Sequence, residues 1–94
     1  MEGQTSSFIW DRDRESINIQ KHGVDFVTAA QAFKDPKRKI FIDSQHSQKE
    51  ERYFCIGKAD NRIITVRFIY REEKVRIFGA GYWRKGVKYY EQED

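Results

Sequence analysis

The sequence predicts an α+β fold, with two N-terminal helices packed on one face of an antiparallel β-meander sheet and a short C-terminal helix. Three observations predict it. Helix signals are confined to residues 12–33, and strand-like apolar runs dominate residues 39–83. The links between those runs are short, and short links join antiparallel neighbours. With 94 residues the chain makes one domain, 1–94, with a small core.

The elements follow in order. "MEGQTSS" has neither the basic nor the apolar region of a signal peptide, and residues 1–7 are expected to be a frayed tail. "SFIWD" (7–11) is a short strand, and Asp11 can cap the helix behind it. That helix carries Arg14, Ile17 and Lys21 on one stripe, so it is mostly polar and lightly buried; Gly23 ends it. Asp25 can cap a second helix, "FVTAAQAF", whose Phe26, Ala29, Ala30 and Phe33 form an apolar face. Asp35-Pro36 stops it. Strands follow at 39–43, 52–57, 62–70 and 75–83, with turns at "ADN" and "REEK". The tail "RKGVKYYEQED" is a short helix weakened by Gly86.

Charge is unevenly spread. Residues 1–51 hold eight Lys/Arg against nine Asp/Glu, residues 52–88 hold ten against three, and the last six residues carry three acids. Such a basic segment points to a polyanionic partner, nucleic acid before an acidic protein. In the third strand Ile64, Val66, Phe68 and Tyr70 alternate with Ile63, Thr65, Arg67 and Ile69. In the last, Val75, Ile77 and Gly79 oppose Arg76, Phe78 and Ala80. With Arg67 and Arg76 on one side, the sheet would have an apolar face and a basic one. Phe78, Tyr82, Trp83, Tyr89 and Tyr90 lie among these cations, where aromatic rings can stack unpaired bases.

Several chemistries find no support. There is no zinc spacing and no phosphate-binding glycine loop. The single cysteine, Cys55, sits in an apolar run, which suits a buried thiol in a reducing cytoplasm. No apolar run could span a bilayer. No metal or other cofactor is expected.

The order of the pieces resembles the BrnT family of bacterial type II toxins. The matching stretches are "FIWDRDRESINIQKHGVDF", "AAQAFKDP", Asp43, "HSQKEERYFCIG" and "VRIFGA", about residues 8–80. The resemblance implies a RelE-like ribonuclease fold and an mRNA-cleaving toxin that halts translation in the cytoplasm. It also implies a BrnA-like ribbon-helix-helix antitoxin, through which alone the toxin would reach operator DNA. After the last strand the family carries adjacent arginines, where this chain has Gly81 and Tyr82.

The expected reaction is metal-independent attack of an RNA 2′-OH on the adjacent phosphate. It needs a base, cations for the developing charge and an acid for the leaving oxygen. Glu51 or His46 would be the base. Arg52, Arg67 and Arg76 would hold the phosphate, and His22 or Tyr82 would be the acid. Lys21, Arg71, Trp83, Arg84, Lys85 and Lys88 are expected to bind the RNA strand. The alternative reading is a catalytically degenerate module that binds antitoxin or nucleic acid.

Overall fold

The computed structural model describes the backbone of residues 2–4 and all of residues 7–92. Its elements are β1 (Glu2–Gln4), β2 (Phe8–Asp11), α1 (Arg12–His22), α2 (Phe26–Ala30), a 3₁₀ turn (Gln31–Lys34), β3 (Lys39–Ile42), β4 (Tyr53–Ala59), β5 (Arg62–Arg71), β6 (Lys74–Gly81) and α3 (Arg84–Glu91). One mixed sheet runs in the order β1-β2-β6-β5-β4-β3.

The strands from β3 to β6 form the expected antiparallel meander. The purely antiparallel expectation fails at β2, which pairs parallel with β6. The helices lie between these strands in the chain, and such a crossover returns the backbone in the same direction. The frayed-tail expectation also fails for residues 2–4, which pair with β2 as an edge strand. Residues 1, 5 and 6 of that tail, and the last two residues of the acidic tail, lie outside the described residues.

Local chemistry explains the element ends. The Asp11 carboxylate accepts from the amides of Asp13 and Arg14, and Gly23 closes α1 at φ 70°. Asp25 caps α2 by accepting from the Thr28 amide. Asp60-Asn61 and Glu72-Glu73 turn the two hairpins of β4–β5 and β5–β6, all four with positive φ. Asparagine tolerates that geometry, whereas glutamate does not favour it.

The core lies between the sheet and α2 with its 3₁₀ turn. Phe26, Ala29, Ala30 and Ala32 pack on Ile64, Val66, Phe68 and Ile77, with Trp10 beside them. Full burial of a side chain such as Phe26 or Phe68 stabilises by about 2–3 kcal/mol. Helix α1 is the lightly buried helix that its sequence implies, with one buried residue, Asn18. Beyond the end of β2, the Asn18 amide takes the place of a neighbouring strand. It accepts from the Ala80 amide and donates to the carbonyls of Ala80 and Val24, so its buried polar atoms are satisfied.

Helix α3 lies on the opposite face. Gly86 packs on Thr65 so closely that a Cβ there would meet the hydroxyl at 1.9 Å. The glycine that weakens this helix by propensity is what lets it approach the sheet. Its end is fastened by Tyr90, which donates to Asp35, and by Lys39, whose ammonium donates to the carbonyls of Tyr89 and Gln92.

Candidate active site

The face opposite α2 holds several of the candidate residues. Pairing puts Phe54 beside Arg67 and Gly79, and Ile56 beside Thr65 and Gly81. A bulge then changes the register: Arg67 faces Gly79, but Phe68 faces Ile77, leaving Phe78 without a partner. The simple alternation expected for β6 is corrected here. Gly79 joins the face of Arg67, and Ala80 turns into the core. Arg67 and Arg76 nevertheless share one face, because Arg76 pairs with Ile69 beyond the bulge.

Phe78 becomes a platform. The guanidinium carbons of Arg52 and Arg67 stand 5.0 and 5.5 Å from its ring centre, and Arg67 is also 5.8 Å from the Trp83 ring. Arg67 lies flat over Gly79, where a Cβ would come within 2.8 Å of its guanidinium. Its Nε–H is buried and has no partner. A guanidinium stacked on rings and short of an acceptor suits a phosphate oxygen.

On one side of Phe78 runs an open trench of 300 Å³, floored by Ile69 and lined by Arg14, Arg52, Arg71 and Arg76, with Asp11 and Glu50 at its walls. Four cations outnumber two acids. The Asp11 carboxyl is held below the usual carboxylate range by the amides of Arg14 and Asp13, assisted by the charges of Arg14 and Arg76. Glu50 lies 3.7 Å from Arg71. Glu50 and Arg52 also line a second hollow of 380 Å³, whose far wall is His46. The two hollows thus share Glu50 and Arg52.

His46 is held by the loop between β3 and β4. Asp43, only 8% exposed, bonds the His46 Nδ1 at 2.9 Å. The Ser47 hydroxyl donates to the Asp43 carbonyl and accepts from the Arg52 amide, and the Asp43 amide donates to the Arg52 carbonyl. The loop is thus closed on itself beside Arg52. A carboxylate on Nδ1 fixes that nitrogen as the donor and leaves Nε2 with a free lone pair in the neutral ring. The imidazole is 60% exposed, so that lone pair is available to a proton donor.

The structure brings Arg52, Arg71 and Arg76 together around the trench, puts His46 in the hollow that shares Arg52 with it, and sets Arg67 against the Phe78 ring outside the trench lining. It does not bring the remaining candidates there. Glu51 points to the other side of β4, where it accepts from Tyr53, a ring stacked on core residue Phe68. That bond raises the Tyr53 hydroxyl's pKa. Tyr82 packs against the core under Arg62, 3.5 Å from its ring centre. His22 meets the edge of Trp83 at 5.1 Å. Lys21 is exposed on α1, and Arg84 and Lys88 are exposed on α3. Lys85 and Trp83 line a separate apolar groove.

Sequence reasoning missed Asp43 as a partner of His46, and Glu50 as the acid on the Arg52 side. Both had a signal. Asp43 and His46 are three residues apart in a turn-forming stretch, and alternation puts Glu50 rather than Glu51 on the side of Arg52. Among the described residues, no three His, Cys, Asp or Glu side chains gather as metal ligands. No helix is long and apolar enough to cross a membrane.

An α+β domain with a histidine and an arginine-lined trench on one sheet face has the parts of a protein that acts on phosphodiesters. The model of the ribonuclease toxin BrnT of type II toxin-antitoxin systems matches residues 10–86, and the chain belongs to that family. No curated protein matches the chain.

Proposed function

We propose that this chain is a RelE-like endoribonuclease that cleaves mRNA in the cytoplasm and thereby inhibits translation. The observation that carries this reading is the Asp43-backed His46 in a hollow that shares Arg52 with the neighbouring trench of Arg71 and Arg76. In the reaction, the 2′-OH proton passes to His46 Nε2 and the 2′-oxygen bonds to phosphorus. The bond to the 5′-oxygen breaks, that oxygen takes a proton from water in the open trench, and the hydroxide so formed takes the proton from His46. The products are a 2′,3′-cyclic phosphate and a 5′-hydroxyl. Arg52 and Arg76 flank the phosphate, and the Arg67 guanidinium adds positive charge from beside Phe78. Apart from that water, the steps use groups of the chain itself and leave His22, Glu51 and Tyr82 outside the chemistry. The inhibitory partner is a BrnA-like ribbon-helix-helix antitoxin, which would carry the toxin to operator DNA.

The test is end-group analysis of RNA incubated with the purified chain, in EDTA and with added Mg²⁺. Cyclic phosphate ends that form in chelator, and are lost in His46→Ala and Arg52→Ala, support the mechanism. Cleavage that requires the metal, or that survives His46→Ala, refutes it. Asp43→Asn should slow cleavage and shift the neutral His46 ring away from the Nδ1–H tautomer, read by ¹⁵N NMR.

A second reading has one observation in its favour. A Cβ on Gly81 would meet the Trp83 ring at 2.7 Å, so the indole occupies the space into which a side chain at 81 would grow. A chain lacking the family's arginines there would bind its partners without cutting RNA. The same end-group assay decides between the two.

A further inference from the structure

An apolar hollow lies apart from the basic trench. It is a half-open groove of 510 Å³ between α3 and the strands β3 and β4. Its walls are Phe41, Phe54, Ile56, Trp83 and Tyr89, and Lys85 is its one charged lining residue. Ile42 also lines it and is 56% exposed, Phe41 is 38% exposed, and Ile40 of the same strand is 41% exposed. Apolar surface of this kind, collected in one concavity and one strand, marks an interaction site rather than scattered exposure.

We infer that this groove seats an acidic segment of the antitoxin, whose apolar side chains fill it and whose backbone adds to the free edge of β3. The inference deepens the proposed pairing with an antitoxin and rests on that reading. Three observations choose this occupant. First, β3 is the last strand of the sheet, and its outer edge offers unpaired amides and carbonyls. The Asp43 amide bonds inward to Arg52, so alternation turns the polar groups of Ile40 and Ile42 outward. A peptide backbone satisfies such an edge and an RNA strand does not.

Second, the rim is basic. Lys85 is in the wall, Lys88 and Arg84 are exposed on the same helix, and Lys37 and Arg38 are exposed just before β3. Glu91, the only acid of α3, stands at its end. An acidic segment complements this rim, whereas a second copy of the chain would bring like charge against it. Third, Trp83 is shared. One side of the residue lines the groove, and its ring stands 5.8 Å from the Arg67 guanidinium. A segment lying in the groove therefore ends beside the phosphate-binding arginines and would exclude RNA from them.

The experiment uses the full chain and the antitoxin encoded with it. Affinity is measured by titration calorimetry, and RNA cleavage by the free chain is measured separately. Ile42→Arg and the pair Lys37→Glu, Arg38→Glu change exposed positions and should leave the fold intact, which the melting temperature checks. Each should weaken antitoxin binding by roughly tenfold or more. The double charge change should also flatten the salt dependence of binding. Cleavage by the free chain should stay at the wild-type rate. Wild-type antitoxin affinity in both variants overturns the inference. So does loss of RNA binding with antitoxin binding intact, or a wild-type dimer that Ile42→Arg dissociates. A chain that binds antitoxin through the groove but never cuts RNA refutes the nuclease mechanism and leaves this inference standing.

Discussion

Replacing Gly79 with alanine separates the site from the fold. A Cβ there would lie 2.8 Å from Nη2 and 2.9 Å from Nε of Arg67, whereas ordinary contact begins at 3.4 Å. The guanidinium must retreat by about 0.6 Å, off its seat between Phe78 and Trp83. The atoms that yield are the end of a flexible side chain. The new methyl also narrows the unfolded ensemble, so stability should stay within about 1 kcal/mol of wild type. A displacement near 1 Å in a phosphate-holding group can cost up to about a hundredfold in rate. A full charged contact in the transition state is worth about 3 kcal/mol. Gly79→Ala should therefore lower kcat/KM for RNA by roughly ten- to a hundredfold at an unchanged melting temperature. Gly57→Ala is the contrasting control. Its Cβ would meet the Ala32 carbonyl oxygen at 2.5 Å, and backbone cannot step aside. That variant should lose more than about 2 kcal/mol of stability. If Gly79→Ala is well folded and cleaves at the full rate, Arg67 does not act from the place it occupies.

Three other outcomes are expected. Gly81→Arg should not raise cleavage, because its Cβ collides with the Trp83 ring at 2.7–3.0 Å; a well-folded, faster enzyme would show that the indole swings away. Glu72→Asn with Glu73→Gly should stabilise the protein by about 1–2 kcal/mol, since both glutamates hold positive φ; an unchanged denaturation midpoint would contradict this. Burial alone would raise the pKa of Asp35, but hydrogen bonds from Tyr90 and from the amides of Lys37 and Lys58 outweigh it and hold the carboxyl below its usual range. A depressed folded pKa gives stability that is present above the unfolded value and lost as pH falls through the folded one. Stability should thus fall below about pH 4, and Asp35→Asn should flatten that slope; parallel acid titrations of the two proteins would refute the role.

Much of the fold was legible because its signals are local. Asp11, Asp25 and Gly23 announce both N-terminal helices, and the alternation of Ile64, Val66 and Phe68 announces the core strand. What escaped depends on long-range pairing. The parallel match of β2 to β6 joins residues far apart in the chain, and no local pattern encodes it. Asn18 looks like one more polar residue on a polar helix. Its burial follows only from the place where β2 stops and leaves the Ala80 backbone without a neighbour. Position on the strands singled out Arg52, Arg67 and Arg76 among nine arginines, and His46 is one of only two histidines. Residue type misled for Glu51, where direction matters more than identity.

The bulge at Phe78 shows why direction matters. Strict alternation across β6 would put Arg76 and Phe78 on the wet face and turn Gly79 into the core. One extra residue instead turns Phe78 and Gly79 toward the same side, and each then serves Arg67. Phe78 lies under its charge, and Gly79 leaves room for the guanidinium to lie flat. Arg52 reaches the same ring from β4's entry, so two cations converge on one aromatic platform without an intervening acid. Like charges on adjacent strands would ordinarily repel and destabilise the sheet. Their ring contacts recover only part of that cost. In the proposed reaction an anion entering beside Phe78 would relieve the remaining repulsion, so the residues that burden the empty fold are the ones the proposal assigns to phosphate.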